Sequence, residues 1–193
     1  MTHFIRRRRW TAGRTGNDDT GLRVIGVALL AGAAAGGFFG CFMSGTQPGS
    51  LAELAAGAPP RTVLAALVWP GLLFLGAAVF STSFLGVLLE PALAFLGSFM
   101  FSHCVSVMYA SCGTAGLRWA FFTVGIPALF WLPAFGICVY GGFSSARRLW
   151  ALSFGYAAGA RCAVSPLLAT GISLAALAAC TVYGLAVLPA LLS

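Results

Sequence analysis

Charge is what this chain has least of. Its 193 residues carry eleven basic and four acidic side chains, 8% of the total, against 60% hydrophobic ones. Soluble domains average about 25% charged, so this chain cannot cover a globular surface with groups that water solvates. That excludes a soluble enzyme, a disordered tail and a nucleic-acid-binding domain. The mean hydropathy of +0.94 agrees. The solvent implied for most of the chain is lipid.

Catalytic signatures are missing too. There is no G-x-x-x-x-G-K-[ST], no G-x-G-x-x-G after a strand, no H-E-x-x-H and no G-x-S-x-G. No C-x-x-C occurs among Cys41, Cys104, Cys112, Cys138, Cys162 and Cys180, so neither a disulfide framework nor a zinc site is expected. The histidines are His3 and His103, and the sparse polar residues offer no evident pair of nucleophile and base. The expectation is a protein that is not an enzyme and holds no cofactor or metal.

Lysine is absent, and every base is an arginine. A net charge of +7 would suggest nucleic acid in a soluble protein. Here most arginines flank apolar runs, and the partner they fit is the anionic surface of a lipid bilayer.

A membrane-spanning helix needs about 20 mainly apolar residues. Five runs meet this, at 22–43, 62–80, 84–109, 115–143 and 166–192. They do not alternate apolar and polar residues as barrel strands do, so an all-α polytopic bundle is expected. Residues 1–21 form a basic tail and 144–165 an interfacial segment, and the whole chain, 1–193, is read as a single membrane domain. Arg6, Arg7, Arg8, Arg9, Arg14, Arg23, Arg147, Arg148 and Arg161 fall on one side of these runs; Arg61 and Arg118 fall on the other. The positive-inside rule then places the N-terminus in the cytoplasm and, after five crossings, the C-terminus outside. The first run exceeds the usual 7–15 apolar residues of a signal peptide and is read as an uncleaved anchor.

Several residues stand out within the runs. Gly32, Gly36 and Gly40 repeat every four residues, as do Ser98, Ser102 and Ser106. Such ridges let helix backbones approach closely, within the molecule or against another membrane protein. Glu90 is the one acid inside an apolar run, and intramembrane carboxyls are costly and often functional. His103 lies about 20 Å further along a straight helix and on another face, so the two form no local pair. Trp150, Phe154 and Tyr156 among Arg147, Arg148 and Arg161 suit a segment at the lipid headgroups, or a docking site for a cytoplasmic partner.

The central region resembles the stage II sporulation protein M family of bacterial multi-pass membrane proteins. The first stretch carrying the resemblance is GLLFLGAAVFSTSFLGVLLEPALAFLGSFMFSHCVSV, residues 71–107, with Gly86, Pro91, Phe95, Leu96, Gly97 and Phe99 at the family's positions. The second is GIPALFWLPAF, residues 125–135, with Pro127 and Pro133 six apart. Ala128, Leu129 and Glu90 depart from the family pattern, as does Leu96 where a basic residue is common. The resemblance implies a non-enzymatic role in endospore formation at the bacterial cell membrane. There the protein would anchor two peptidoglycan-remodelling partners, stage II sporulation proteins D and P, during forespore engulfment. A small transporter or permease subunit is the other expectation, with Pro70, Pro91, Pro127 and Pro133 marking broken helices.

Overall fold

The computed structural model describes residues 16–44, 61–154 and 166–183. Arg6 to Arg9, Arg14, the 45–60 connection with Glu53, and the 155–165 segment with Tyr156, Arg161 and Cys162 lie outside the described residues. Every regular element among the described residues is helical. In chain order they are α1 (Gly16–Ser44), α2 (Arg61–Phe80), α3 (Gly86–Ala120), a π-helical stretch (Phe121–Gly125), α4 (Ile126–Ser153) and α5 (Pro166–Val182). Two stretches, Thr20–Phe42 and Gly86–Ser153, are long and apolar enough to cross a membrane. Val68–Phe80 and Leu168–Val182 are shorter apolar helices.

The second long stretch, 68 residues, would extend about 100 Å if straight, some three times the hydrocarbon core of a bilayer. It folds back on itself instead. Gly113 has φ 60° and ψ −138°, outside the helical region and accessible at low cost only without a side chain. Beyond it, contacts pair the two arms in reverse order: Gly86 meets Ala146, Glu90 meets Gly142, and Gly97 meets Phe135. Each step forward along α3 is matched by a step back along α4, so the two are antiparallel.

The same reasoning fixes the other directions. Gly32 lies against Phe95 and Ser98, Gly36 against Phe99, and Gly40 against His103 and Ser106, so α1 and α3 are parallel. Gly76 meets Leu93 and Phe80 meets Gly86, so α2 and α3 are antiparallel across the turn at 81–85. In that turn Ser81 and Thr82 donate their hydroxyls to Ala78 O and Val79 O, both at 2.7 Å, satisfying carbonyls that α2 leaves open at its end. Cys138 reaches Ser173, Cys180 reaches Pro127, and Tyr183 reaches Phe122, which makes α4 and α5 antiparallel. Helices α1, α3 and α5 therefore run one way, and α2 and α4 the other.

Small residues fill the interior. A methyl group on Gly40 would lie 2.6 Å from Ser106 Cβ and 2.9 Å from His103 O, and one on Gly32 or Gly36 would run into the α3 backbone. Ala77, Ala94, Ala134 and Ala146 are buried around Phe74, Trp131 and the fully enclosed Phe135. Phe74 meets Phe135 edge-on with centroids 5.8 Å apart. Large apolar side chains point outward, with Leu30 and Leu88 74% exposed and Phe42 73%. Packing of small residues, with bulky ones turned to the solvent, is how helices associate when the solvent is itself apolar.

Three expectations change. The residues left between the third and fourth runs, 110–114, are helical except at Gly113, because one glycine absorbs the reversal. The fourth run, expected at 115–143, is helical from just after Gly113, and the helix continues to Ser153, so 144–153 of the expected interfacial segment are the last turns of α4. The prolines do not break helices: Pro70, Pro91 and Pro133 sit inside continuous ones, and Pro127 lies in the first turn of α4.

The close approach of α1 to α3 can be tested within one helix. Gly36→Val should destabilise the folded protein by about 1–3 kcal/mol through overpacking. Gly26→Val, where nothing lies within 4 Å of the added carbon, should be near neutral. Thermal unfolding of both variants in detergent would check the contrast.

Candidate functional site: polar groups buried in the helix seams

The polar residues that the sequence marks out divide between two seams of α3. On the α1 seam, Ser98 donates to Ala94 O and Phe95 O, both at 3.0 Å, and so keeps its hydroxyl bonded to its own helix. Ser102 Oγ would lie 3.2 Å from a methyl group on Gly37, and Ser106 Cβ covers Gly40. The two small-residue ridges that repeat every four residues thus pack on each other. The Gly32, Gly36, Gly40 ridge faces α3 and is not presented to an outside partner.

His103 lies on this seam. Its ring stacks on Phe99, with centroids 5.7 Å apart and planes 6° from parallel. Its Nδ1 is buried and has no hydrogen-bond partner among the described residues. Phe95 and Phe39 extend the ring cluster from Phe99, at 6.0 and 6.2 Å.

Glu90 faces the other seam. It is 0% exposed, and neither carboxyl oxygen has a hydrogen-bond partner among the described residues. Gly142 of α4 lies directly opposite, and a side-chain carbon there would collide with Glu90 Oε1. Glu90 and His103 lie on different seams, as their helical spacing implies. Among the described residues no three His, Cys, Asp or Glu side chains gather as a metal site would require.

A third seam, between α4 and α5, contains a residue that sequence reasoning passed over. In the π-helical stretch Ile126 N–H bonds Phe121 O, five residues back. The next such bond would run from residue 127 to Phe122 O, but Pro127 has no N–H. Tyr183 supplies the missing donor: its hydroxyl reaches Phe122 O at 2.8 Å. Thr123 donates to Trp119 O at 2.8 Å, Cys180 Sγ approaches Pro127 O at 3.5 Å, and Cys138 Sγ lies 2.8 Å from Ser173 Oγ. The available signal was a tyrosine in an otherwise apolar last run, whose hydroxyl requires a partner once buried.

At the end of α4, Trp150 and Phe154 are exposed and lie 4.8 Å apart, and the Arg147 guanidinium sits 5.8 Å from the Phe143 ring centre. Aromatic and arginine side chains in this arrangement suit the headgroup level of a membrane. Comparison with known protein families, curated proteins and solved structures finds no match to this chain.

The proline–tyrosine compensation makes a double-mutant prediction. Tyr183→Phe should cost about 1–2 kcal/mol, because it leaves a part-buried carbonyl without this donor. In a Pro127→Ala background the restored N–H can serve Phe122 O, and the same change should then cost much less. Unfolding midpoints of the four proteins measure the coupling.

Proposed function

We propose that this chain is a non-enzymatic multi-pass protein of the bacterial cell membrane whose five helices each cross the bilayer. Its N-terminus lies in the cytoplasm and its C-terminus outside, and its work is to anchor or organise other proteins. The observation that carries this reading is the alternation of helix direction, combined with small residues inside and bulky apolar ones outside. The arginines fit the same orientation. Gly21, near the start of α1, packs on Tyr140 and Phe143, near the end of α4. Arg23, Arg147 and Arg148 therefore share one end of the bundle, while Arg118 lies toward the other. The lipid bilayer is its first partner.

The setting comes from the resemblance to the stage II sporulation protein M family. It is forespore engulfment, with stage II sporulation proteins D and P as the peptidoglycan-remodelling partners. Their docking surface is to be sought away from the α1 ridge, which α3 covers. The exposed Trp150–Phe154 end of α4 and the outer face of α1 are open to partners.

A small transporter or permease subunit is the second reading. It is favoured by one observation, the enclosed and unpartnered Glu90 carboxyl. The continuity of α2, α3 and α4 through their prolines weighs against the broken-helix form of transporter site.

Two measurements test the proposal. Alkaline phosphatase fused after Thr114 or after Ser193 should be active, and a fusion after Thr82 inactive; an active Thr82 fusion would overturn the five-crossing topology. Deletion of the gene, followed by membrane-stained microscopy of sporulating cells, should show arrested engulfment. Normal engulfment would remove the sporulation role and leave the topology standing.

A further inference from the structure

We propose that Glu90 is a proton-binding site built into the α3–α4 seam, where the closed seam accommodates the acid and loss of the proton requires the seam to open. The carboxyl is fully enclosed, and neither oxygen has a partner among the described residues. The opposite position on α4 is Gly142, where any side-chain carbon would overlap Oε1, so the seam is shaped around the carboxyl group. The next residue, Pro91, has no N–H to offer. A bare carboxylate in such surroundings is far costlier than the acid unless a cation or several donors attend it.

Among the described residues no cation hydrogen-bonds this group. On α4, Cys138 lies one turn before Gly142 with its Sγ 2.8 Å from Ser173 Oγ, and Arg147 and Arg148 lie nearer the helix end, the Arg147 guanidinium over the Phe143 ring. On α1, Arg23 is exposed. The sole ionisable residue of α2 is Arg61, at the end away from the α2–α3 turn, and the π-helical stretch contains none.

The carboxyl lies close in sequence to the α2–α3 turn. Glu90 lies four residues beyond Gly86, about 6 Å along the helix. Gly86 closes the turn that carries the Ser81, Thr82 and Ser83 hydroxyls, and across the seam Ser144 and Ser145 bond Gly141 O at 2.8 and 3.0 Å. Both segments thus carry hydroxyl groups, each bonded to nearby backbone. The site is compatible with a scaffold and with a transporter alike.

Glu90→Gln keeps the shape of the acid and cannot ionise, so it separates this proposal from simple packing. The full chain is purified into phosphatidylcholine nanodiscs, and its unfolding midpoint is followed from acid to alkaline buffer. The wild type should lose about 3 °C or more relative to Glu90→Gln as pH rises. Parallel profiles would overturn the proposal. If the variant does not accumulate, the wild type in phosphatidylcholine liposomes is treated with dicyclohexylcarbodiimide, which reacts with carboxyl groups in their acid form. Labelling of Glu90, read by peptide mass spectrometry, should fall as pH rises; absent or pH-independent labelling would overturn the proposal.

Discussion

The backbone contact between α1 and α3 is the constraint on which the rest of the bundle depends. Helices in lipid gain little from hiding apolar surface, since their surroundings are equally apolar. Association then rests on dispersion contacts and weak Cα–H···O interactions, which fall away steeply with distance. Gly32, Gly36 and Gly40 bring α1 directly onto the carbonyls of Phe95, Phe99 and His103. Any larger residue would hold the helices apart. With α1 seated, the opposite side of α3 is left to receive α4, and residues such as Gly97 and Ala94 make that second seam close as well.

Three contacts, spread over two seams, follow a common rule: a gap left by a small residue is filled by one specific group from the facing helix. Gly97 receives the Phe135 ring, Gly142 receives the Glu90 carboxyl, and Gly40 receives Ser106. Complementarity of this kind fixes register. A slip of one residue along α3 would move Gly97 away from the Phe135 ring and Glu90 away from Gly142. Register is thereby specified without the salt bridges that a soluble bundle uses at its flanking positions, which a chain with four acids cannot supply in number.

Much of this was legible in the sequence, for a physical reason. Hydrophobic runs of bilayer length and the four-residue repeats are local patterns, and the helices and the small-residue ridges follow from them. The all-helical class and the buried position of Glu90 were within reach on the same basis. What could not be read was anything decided by a partner distant in sequence. That the glycine and serine ridges meet each other depends on how α2 returns the chain. That the residues between the third and fourth runs remain helical depends on Gly113 alone absorbing the reversal. The prolines misled because the local rule, a missing donor and a ring clash, was applied without asking what neighbouring elements supply.

Pro127 shows how such an element can be supplied. Widening the helix to i−5 bonds over Phe121–Gly125 relieves the ring clash and moves the donor gap to a single carbonyl, Phe122 O. In water that carbonyl would bond solvent; inside a bundle it needs a protein donor or costs about 1–3 kcal/mol. Tyr183, 61 residues away, provides one. The proline thereby makes the seating of α5 part of the integrity of the α3–α4 corner, so the last helix cannot detach without exposing a backbone group. A residue that reads locally as a helix breaker becomes, through that one hydrogen bond, the link between the hairpin and the end of the described chain.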